Sequence, residues 1–418
     1  MHTFDTIIVG GGAAGLMAAG HCAKNGDKVL LLERMGRVGR KLGITGKGRC
    51  NITNTAPMNE FIRLIKPNGK FLRSAFSEFF SDELIQFFHS IGIKTTIERG
   101  GRVFPENGKA VEVVKALERW CKQNRVVIKN NTRVKSLIID NESVVGVRTV
   151  HNKDNAQEII SYVAPKVIIA TGGVSYPATG STGDGYKLAK SAGHTVSPLT
   201  PALVPLETDG NTAKHLNGLE LRNVRATVWI EGKKAAEDFG EMSFTEFGIT
   251  GPIVLSLSRI IVLALREQRE VIFSIDLKAA LDDNKLDNRL IRDFDSRGKE
   301  IFREILKGLL PQALIATCMR ATKISAGTLG HQITSNQRKE LRKWLKNFNL
   351  KVTGHRNFDE AIITAGGIKT SEINQKNLES KRVKGLHFVG EVLDLDAPTG
   401  GYNLQIAFST AVAAASRA

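Results

Sequence analysis

Gly10, Gly12 and Gly15 take the spacing G-x-G-x-x-G between an apolar run, residues 6–9, and an alanine-rich stretch, residues 13–24. Glycines so placed permit a tight turn and let a pyrophosphate approach the N–H groups of a helix start, where the helix dipole favours an anion. Ala14 lies inside the same turn. Glu33, followed by Arg34, ends the next apolar run, residues 28–32. A carboxylate there accepts hydrogen bonds from ribose hydroxyls and disfavours a 2′-phosphate, so the turn suits the adenosine of FAD or NAD rather than NADP.

The other end of the chain separates those two cofactors. Residues 385–389 form a short apolar run followed by Gly390, Glu391 and Asp394, and Gly400-Gly401 precede Tyr402, Asn403, Leu404 and an alanine-rich stretch, residues 405–415. An acid after a strand can bind a ribityl chain, and the N–H groups of a helix start can face a flavin carbonyl and stabilise the reduced ring's negative charge. A nicotinamide dehydrogenase needs no such second site, so FAD is the expected cofactor. A third apolar run, residues 167–170, ends in Thr171-Gly172-Gly173, as a buried parallel strand does where it meets a ligand.

These residues need a parallel sheet with covering helices. The patterns predict a strand, turn, helix and strand over 6–32, helices over 82–91 and 109–122, and a hairpin turning at Gly100-Gly101. Strands at 126–129, 133–139, 144–150 and 158–163, with a turn at Asn141-Glu142, predict a small meander over the main sheet. Near Ser197 the texture changes: prolines 198, 201 and 205 open a β-rich run to about residue 277, and a charged helical stretch, broken at Gly308 and Pro311, runs from 282 to 347. The expected division is therefore an FAD-binding domain of 1–196 and 348–418, a β-rich inserted domain of 197–278 and a helical insert of 279–347. Residues 348–356 are an alternative return through the β-rich domain.

The chain has 418 residues and 59 Lys and Arg against 42 Asp and Glu, a net charge of +17. Such an excess attracts polyanions, or else coats a solvated basic surface. Cys22, Cys50, Cys121 and Cys318 lie far apart, with no C-x-x-C pair, so neither a metal site nor a redox dithiol is expected and a reducing compartment is. Residues 6–23 lack charge, but their three consecutive glycines and missing basic leader argue against a signal or membrane segment. A cytoplasmic location is expected.

Residues 39–54, which read Gly-Arg-Lys-Leu-Gly-Ile-Thr-Gly-Lys-Gly-Arg-Cys-Asn-Ile-Thr-Asn, together with Ala170-Thr171-Gly172-Gly173, Ser175 to Tyr186 with Thr182-Gly183-Asp184-Gly185, and the C-terminal block, resemble the BaiN/YhiN-type family of FAD-dependent oxidoreductases, which includes ribosomal RNA dihydrouridine synthase-like flavoproteins. The resemblance covers essentially the whole chain. It implies an α/β fold: a split Rossmann-like FAD-binding domain of the glutathione reductase and succinate dehydrogenase type, interrupted by a β-barrel-like domain that carries a small helical insert. It also implies that Gly10, Gly12, Gly15 and Glu33 hold the ADP half, that Arg40 and Lys41 approach the flavin, that Val134 meets the adenine through its backbone, and that Gly390, Glu391, Asn403 and Leu404 complete the site. Arg40 and Lys41 read equally as basic surface, and Val134 as a core strand residue.

The resemblance implies NAD(P)H-driven reduction of an activated C=C bond, with uridine to dihydrouridine in 23S ribosomal RNA as the first reading. An unsaturated 3-oxo steroid-like small molecule is one alternative, and a flavin-binding protein that acts only with a partner is another. No second G-x-G-x-x-G follows a strand, so NAD(P)H is expected as a transient reductant and ping-pong kinetics with it. Cys50, beside Arg49, is the candidate catalytic proton donor, the alternative being a buried structural cysteine. Tyr176, Tyr402, His355 and Arg356 are further candidate donors or carbonyl clamps. The basic residues of the helical insert, such as Arg289, Arg292, Arg338 and Arg342, and the Lys381, Arg382 and Lys384 cluster are candidate RNA contacts or solvated faces.

Overall fold

The computed structural model describes residues 2–153 and 156–416. The chain forms two compact units, one of residues 1–201 with 358–418 and the other of residues 202–357.

A five-stranded parallel sheet lies at the centre of the first unit. Its order is Leu386–Phe388, Lys166–Ile169, Thr6–Val9, Val29–Leu32, Val127–Lys129. Thr6–Val9 and Val29–Leu32 are buried at every residue, which is why they read as unbroken apolar runs rather than alternating ones. Helices Ala13–Lys24, Ala110–Gln123 and Tyr402–Ala415 pack around this core. Gly20 admits the Trp120 ring, because a Cβ there would lie 2.0 Å from it.

Strands Arg133–Asp140, Ser143–Lys153 and Ala156–Val163 form the expected meander, joined by His2–Thr3 at its edge. Asn141 and Glu142 make its turn, both with left-handed backbone, φ 45° and 59°. Strands Thr95–Glu98 and Arg102–Pro105 form the hairpin around Gly100-Gly101, and Thr53–Asn54 adds a third strand.

The second unit is a closed six-stranded barrel in the order Leu206–Thr208, Gly248–Thr250, Lys233–Phe244, Glu220–Ile230, Val271–Asp276, Phe348–His355. Its last strand pairs with its first, Leu206 opposite His355, so residues 348–355 belong to the barrel. Helices Asp283–Ser296, Phe302–Leu306, Gln312–Thr322 and Ser335–Lys346 lie between the two final strands in sequence. Pro252–Arg266, inside the run expected to be β-rich, is a helix. Its sequence is rich in Ile, Val and Leu and so reads as strand, but Gly251 at φ 101° and Pro252 at the first helical position start a helix there. Ile253, Val254, Leu257, Ile261 and Ala264 bury one face of it in the unit's core.

Candidate active site

The register of the parallel sheet assembles the site. Val9 pairs with Leu32 on one side and with Ile169 on the other, and Ile169 pairs with Phe388. Gly10, Glu33, Ala170-Thr171 and Val389-Gly390-Glu391 therefore leave the sheet at one carboxyl edge, where open parallel sheets take their ligands. Gly10 turns there with φ 103°, and a Cβ on it would lie 2.6 Å from the Ala170 carbonyl. A Cβ on Gly15 would come within 1.8 Å of the Gly10 carbonyl, so the helix can approach the turn only as glycine. Gly12 differs: a Cβ there would meet nothing within 4 Å. Ala14 packs beside Gly390, whose Cβ would lie 3.0 Å from that of Ala14, which joins the two ends of the chain.

Glu33 is nearly buried. One carboxylate oxygen accepts the Gly11 N–H at 2.8 Å and the other accepts the Met35 N–H at 2.7 Å, which leaves lone pairs for further donors. Burial pushes its carboxyl above the usual range, and these N–H groups with Arg34 and Arg40 oppose the rise. The Thr132 N–H donates to the Glu33 carbonyl at 2.8 Å, so the chain enters the strand of Val134 directly beside this acid. Val134 is buried opposite Thr149, and the ladder bulges between Val134 and Ser136.

Glu391 centres a second group of side chains. The Lys41 ammonium donates to its two oxygens at 2.8 and 3.1 Å and to the Ser175 hydroxyl at 2.7 Å. Ser175 donates to Glu391 at 2.8 Å, and the Thr364 N–H donates to it at 2.9 Å. The Thr364 hydroxyl accepts the N–H groups of Val174 and Ser175 at 2.9 and 3.1 Å. Burial would raise the Glu391 carboxyl, but Lys41 and the bonds from Thr364 and Ser175 outweigh it and hold the carboxyl below its usual range. Gly172, at φ 68°, approaches within reach of this carboxylate, and the Thr171 hydroxyl turns back to the Gly172 carbonyl at 3.4 Å. Ser175 and Thr364 were not among the expected site residues. Ser175 opens the stretch of residues 175–186 that carries part of the resemblance, whereas nothing local marks Thr364.

A second helix start completes the arrangement. Gly401 caps Tyr402–Ala415 with φ 99°, and a Cβ on it would lie 2.3 Å from the Thr53 carbonyl. The Asn403 side chain is engaged with residues 397 and 398, accepting the Ala397 N–H at 3.0 Å and donating to the Ala397 carbonyl at 2.8 Å, so its backbone is what it offers a ligand. Leu404 is half-buried beside it, and Gly390 donates its N–H to Thr410 at 3.0 Å. The Asp394 carboxylate makes no hydrogen bond or ion pair among the described residues, although its backbone is held by the Ile368 carbonyl at 2.9 Å.

These features fit FAD. Helices Ala13–Lys24 and Tyr402–Ala415 both begin without a side-chain cap, which leaves N–H donors for an anion and for a carbonyl. Arg40, half-buried and close enough to act on Glu33, has no hydrogen bond or ion pair among the described residues. Asn51 buries a carboxamide oxygen without a partner, the kind of atom a ligand satisfies. The open space at Gly12 admits a group that any side chain would exclude.

The structure changes three expectations. Arg34 is committed to the protein, bound to Thr182 and paired with Asp184 at 3.0 Å, and Asp184 also takes a two-point contact from Arg133 at 2.7 and 2.8 Å. Cys50 is 0% exposed in the hydrophobic core, and burial pushes its thiol up to about 12, so it presents no surface to a substrate. The insert's basic side chains are only in part free: Arg338 pairs with Asp287, Arg342 with Asp283 and Asp287, Arg289 with Asp293, and Arg297 with Glu300, whereas Arg292 makes no ion pair among the described residues. Arg382 is likewise held by Glu372 at 2.9 Å. Tyr176, with φ 52°, and Tyr402, whose hydroxyl burial keeps protonated, belong to the flavin unit. His355 and Arg356 belong to the barrel unit, where Arg356 pairs with Glu207 at 3.1 Å and lies over Phe247.

The family model of the HI0933-like protein Rossmann domain matches residues 4–417. The chain is 32% identical to a 3-dehydro-bile acid delta(4,6)-reductase of Clostridium scindens, over 96% of this chain and 96% of that protein. It is 30% identical to a ribosomal RNA dihydrouridine synthase of Escherichia coli, over 99% and 98%. A solved 3-ketosteroid delta1-dehydrogenase from Sterolibacterium denitrificans shares the fold with TM-score 0.51 and 12% identity, covering 99% of each chain. The strand-edge geometry and these relatives lead to one conclusion: the chain belongs to the HI0933-like Rossmann-domain family and is an FAD-binding flavoprotein oxidoreductase.

Proposed function

We propose that this chain reduces a C=C bond conjugated to a carbonyl, with NAD(P)H as the donor, and that its substrate is uridine in 23S ribosomal RNA, converted to dihydrouridine. The reading rests most on one observation: in the unit that builds the cofactor site 34 Lys and Arg stand against 23 Asp and Glu, an excess of 11 out of the chain's +17. The full-length similarity to a ribosomal RNA dihydrouridine synthase supports it.

When bound, FAD supplies two-electron hydride transfer, here from NAD(P)H to the β-carbon of the conjugated bond. Gly10, Gly12, Gly15 and Arg40 would hold the pyrophosphate, Glu33 the ribose, and Val134 the adenine through its backbone. Glu391, kept ionised by Lys41, Ser175 and Thr364, would accept the hydroxyls of the ribityl chain, and the N–H groups at the start of Tyr402–Ala415 would bind the polar edge of the ring. Proton delivery to the α-carbon falls to the half-buried Tyr176 hydroxyl rather than to Cys50 or Tyr402, both buried in the core.

The similarity at 32% identity to a bile acid reductase favours a second reading, a small steroid-like enone as substrate. Nucleoside mass spectrometry of ribosomal RNA from cells with and without the gene separates the two. Loss of dihydrouridine on deletion, restored by the wild-type gene, supports RNA. Unchanged RNA alongside a purified flavoprotein that reduces an unsaturated 3-oxo steroid selects the second reading. Initial rates should give parallel double-reciprocal lines, and intersecting lines would refute transient docking of NAD(P)H.

A further inference from the structure

A basic rim around the hairpin of Thr95–Glu98 and Arg102–Pro105 has no part in the cofactor site. Arg49 and Arg102 both lie over the Phe104 ring, 4.4 and 5.7 Å from its centre. Both also reach Glu98, at 2.5 and 3.6 Å. Arg102 Nε donates to the Arg99 carbonyl at 3.1 Å, which holds Arg99 at the hairpin tip. The Ala110 N–H donates to the Gly48 carbonyl at 2.8 Å, which brings Lys109 beside the loop that carries Lys47 and Arg49. All five cations are exposed, and the arginines at 49 and 102 remain 47% and 46% accessible, with N–H donors left over after Glu98 is satisfied.

A single side chain fixes this rim next to the cofactor site. The Asn54 amide, itself buried, donates to the Gly100 carbonyl at the hairpin tip at 2.9 Å and to the Gly400 carbonyl at 3.0 Å. Gly400 immediately precedes the glycine that starts Tyr402–Ala415. The Thr55 N–H holds Gly101 from the same side at 2.8 Å. The cations are thus registered to the helix start that would face the flavin, at a distance set by one hydrogen-bonded bridge.

We propose that Lys47, Arg49, Arg99, Arg102 and Lys109 form the surface on which an RNA strand docks by its phosphates, next to the flavin site. Guanidinium groups held by an aromatic face on one side and open to solvent on the other suit phosphate oxygens, and a neutral steroid-like substrate would make no use of them. The proposal deepens the RNA reading given above and rests on it.

The test compares the FAD-loaded full-length protein with Arg99→Ala/Arg102→Ala/Lys109→Ala, binding a fluorescein-labelled 23S ribosomal RNA transcript by anisotropy across a salt series. An unchanged flavin spectrum and melting curve show that the variant is folded and loaded. Each phosphate contact adds about 0.7–0.9 to the slope of log affinity against log salt, so the variant's slope should be shallower by about 2. Between about 50 and about 200 mM salt the wild type then loses roughly 16-fold more affinity than the variant. Arg99→Lys/Arg102→Lys, which keeps the charge, should retain the wild-type slope. Tight, salt-dependent binding by the wild type that the triple variant reproduces would overturn the docking surface while leaving the RNA reading in place. A wild type that does not bind the transcript, in cells whose ribosomal dihydrouridine survives deletion of the gene, would overturn both.

Discussion

Replacing Gly12 with alanine separates the cofactor from the fold, because the structure shows room for the methyl and no neighbour to strain. Gly12 has φ −80° and ψ −165°, an extended conformation that alanine adopts freely, and its added Cβ would meet nothing within 4 Å. Alanine is a poorer helix cap than glycine, so the apoprotein should lose about 0.5 kcal/mol. A methyl forced against a bound pyrophosphate acts like an extra methylene in a packed site, about 1–3 kcal/mol, which weakens FAD binding by roughly 5- to 150-fold. Titrating apoprotein with FAD, followed by flavin fluorescence, reads the affinity, and thermal melting of the apoprotein reads the fold. Gly20→Ala is the opposite control: its Cβ would lie 2.0 Å from the Trp120 ring, so it should lower stability by about 1–3 kcal/mol and leave the affinity of the folded protein unchanged. A folded Gly12→Ala protein that binds FAD within twofold of wild type would show that the turn does not carry the pyrophosphate.

The four cysteines are buried, and burial pushes Cys22 up to about 11 and Cys50, Cys121 and Cys318 up to about 12, so a disulfide reagent such as DTNB at pH 8 should label none rapidly in native protein and all four in denaturant. Fast native labelling of one thiol, traced to Cys50, would return that residue to the list of proton donors. Lys41→Met leaves Glu391 with its burial less opposed, so its carboxyl should rise and FAD affinity should fall by about 1–3 kcal/mol, whereas the same change in a Glu391→Gln background should cost little further affinity. Additive losses in that cycle would mean the two side chains act independently. Burial raises the Glu372 carboxyl, but Arg382 and Thr195 overcome that and hold it at about 2. The unfolded chain therefore takes up that proton first, and the stability it contributes, complete above about pH 4.5, is lost as pH falls toward 2. Urea midpoints of Glu372→Gln should be flatter over that window than those of wild type, and parallel curves would exclude Glu372 as the source.

Local pattern carried much of this architecture. The glycine turn, Glu33, the meander with its Asn141-Glu142 turn, and the helices at 81–90 and 110–123 each depend on neighbours within a few residues, where propensity and periodicity act. Pro252–Arg266 was hidden because a continuous apolar run fits a buried strand or a buried helix equally, and only packing in the second unit's core selects between them.

The candidate site divides the same way. Glu33 and Glu391 are visible in the sequence because each follows a strand end, but their chemical states are not. The parallel register brings Gly390 against Ala14, and the fold brings Lys41 and Ser175 to Glu391 from 350 and 216 positions away, contacts that keep Glu391 ionised among buried groups. Composition likewise counts charges without saying which are paired: Arg34 is committed to Asp184, Arg40 makes no ion pair among the described residues, and Cys50 lies in the core rather than beside a substrate. Apart from Pro252–Arg266, the sequence by itself determined most of the strands, turns and helix starts, since those are short-range matters of sterics and hydrogen bonding. Tertiary structure alone decided which side chains meet, because burial and pairing between distant segments depend on strand order and register, and these set a group's charge and reach.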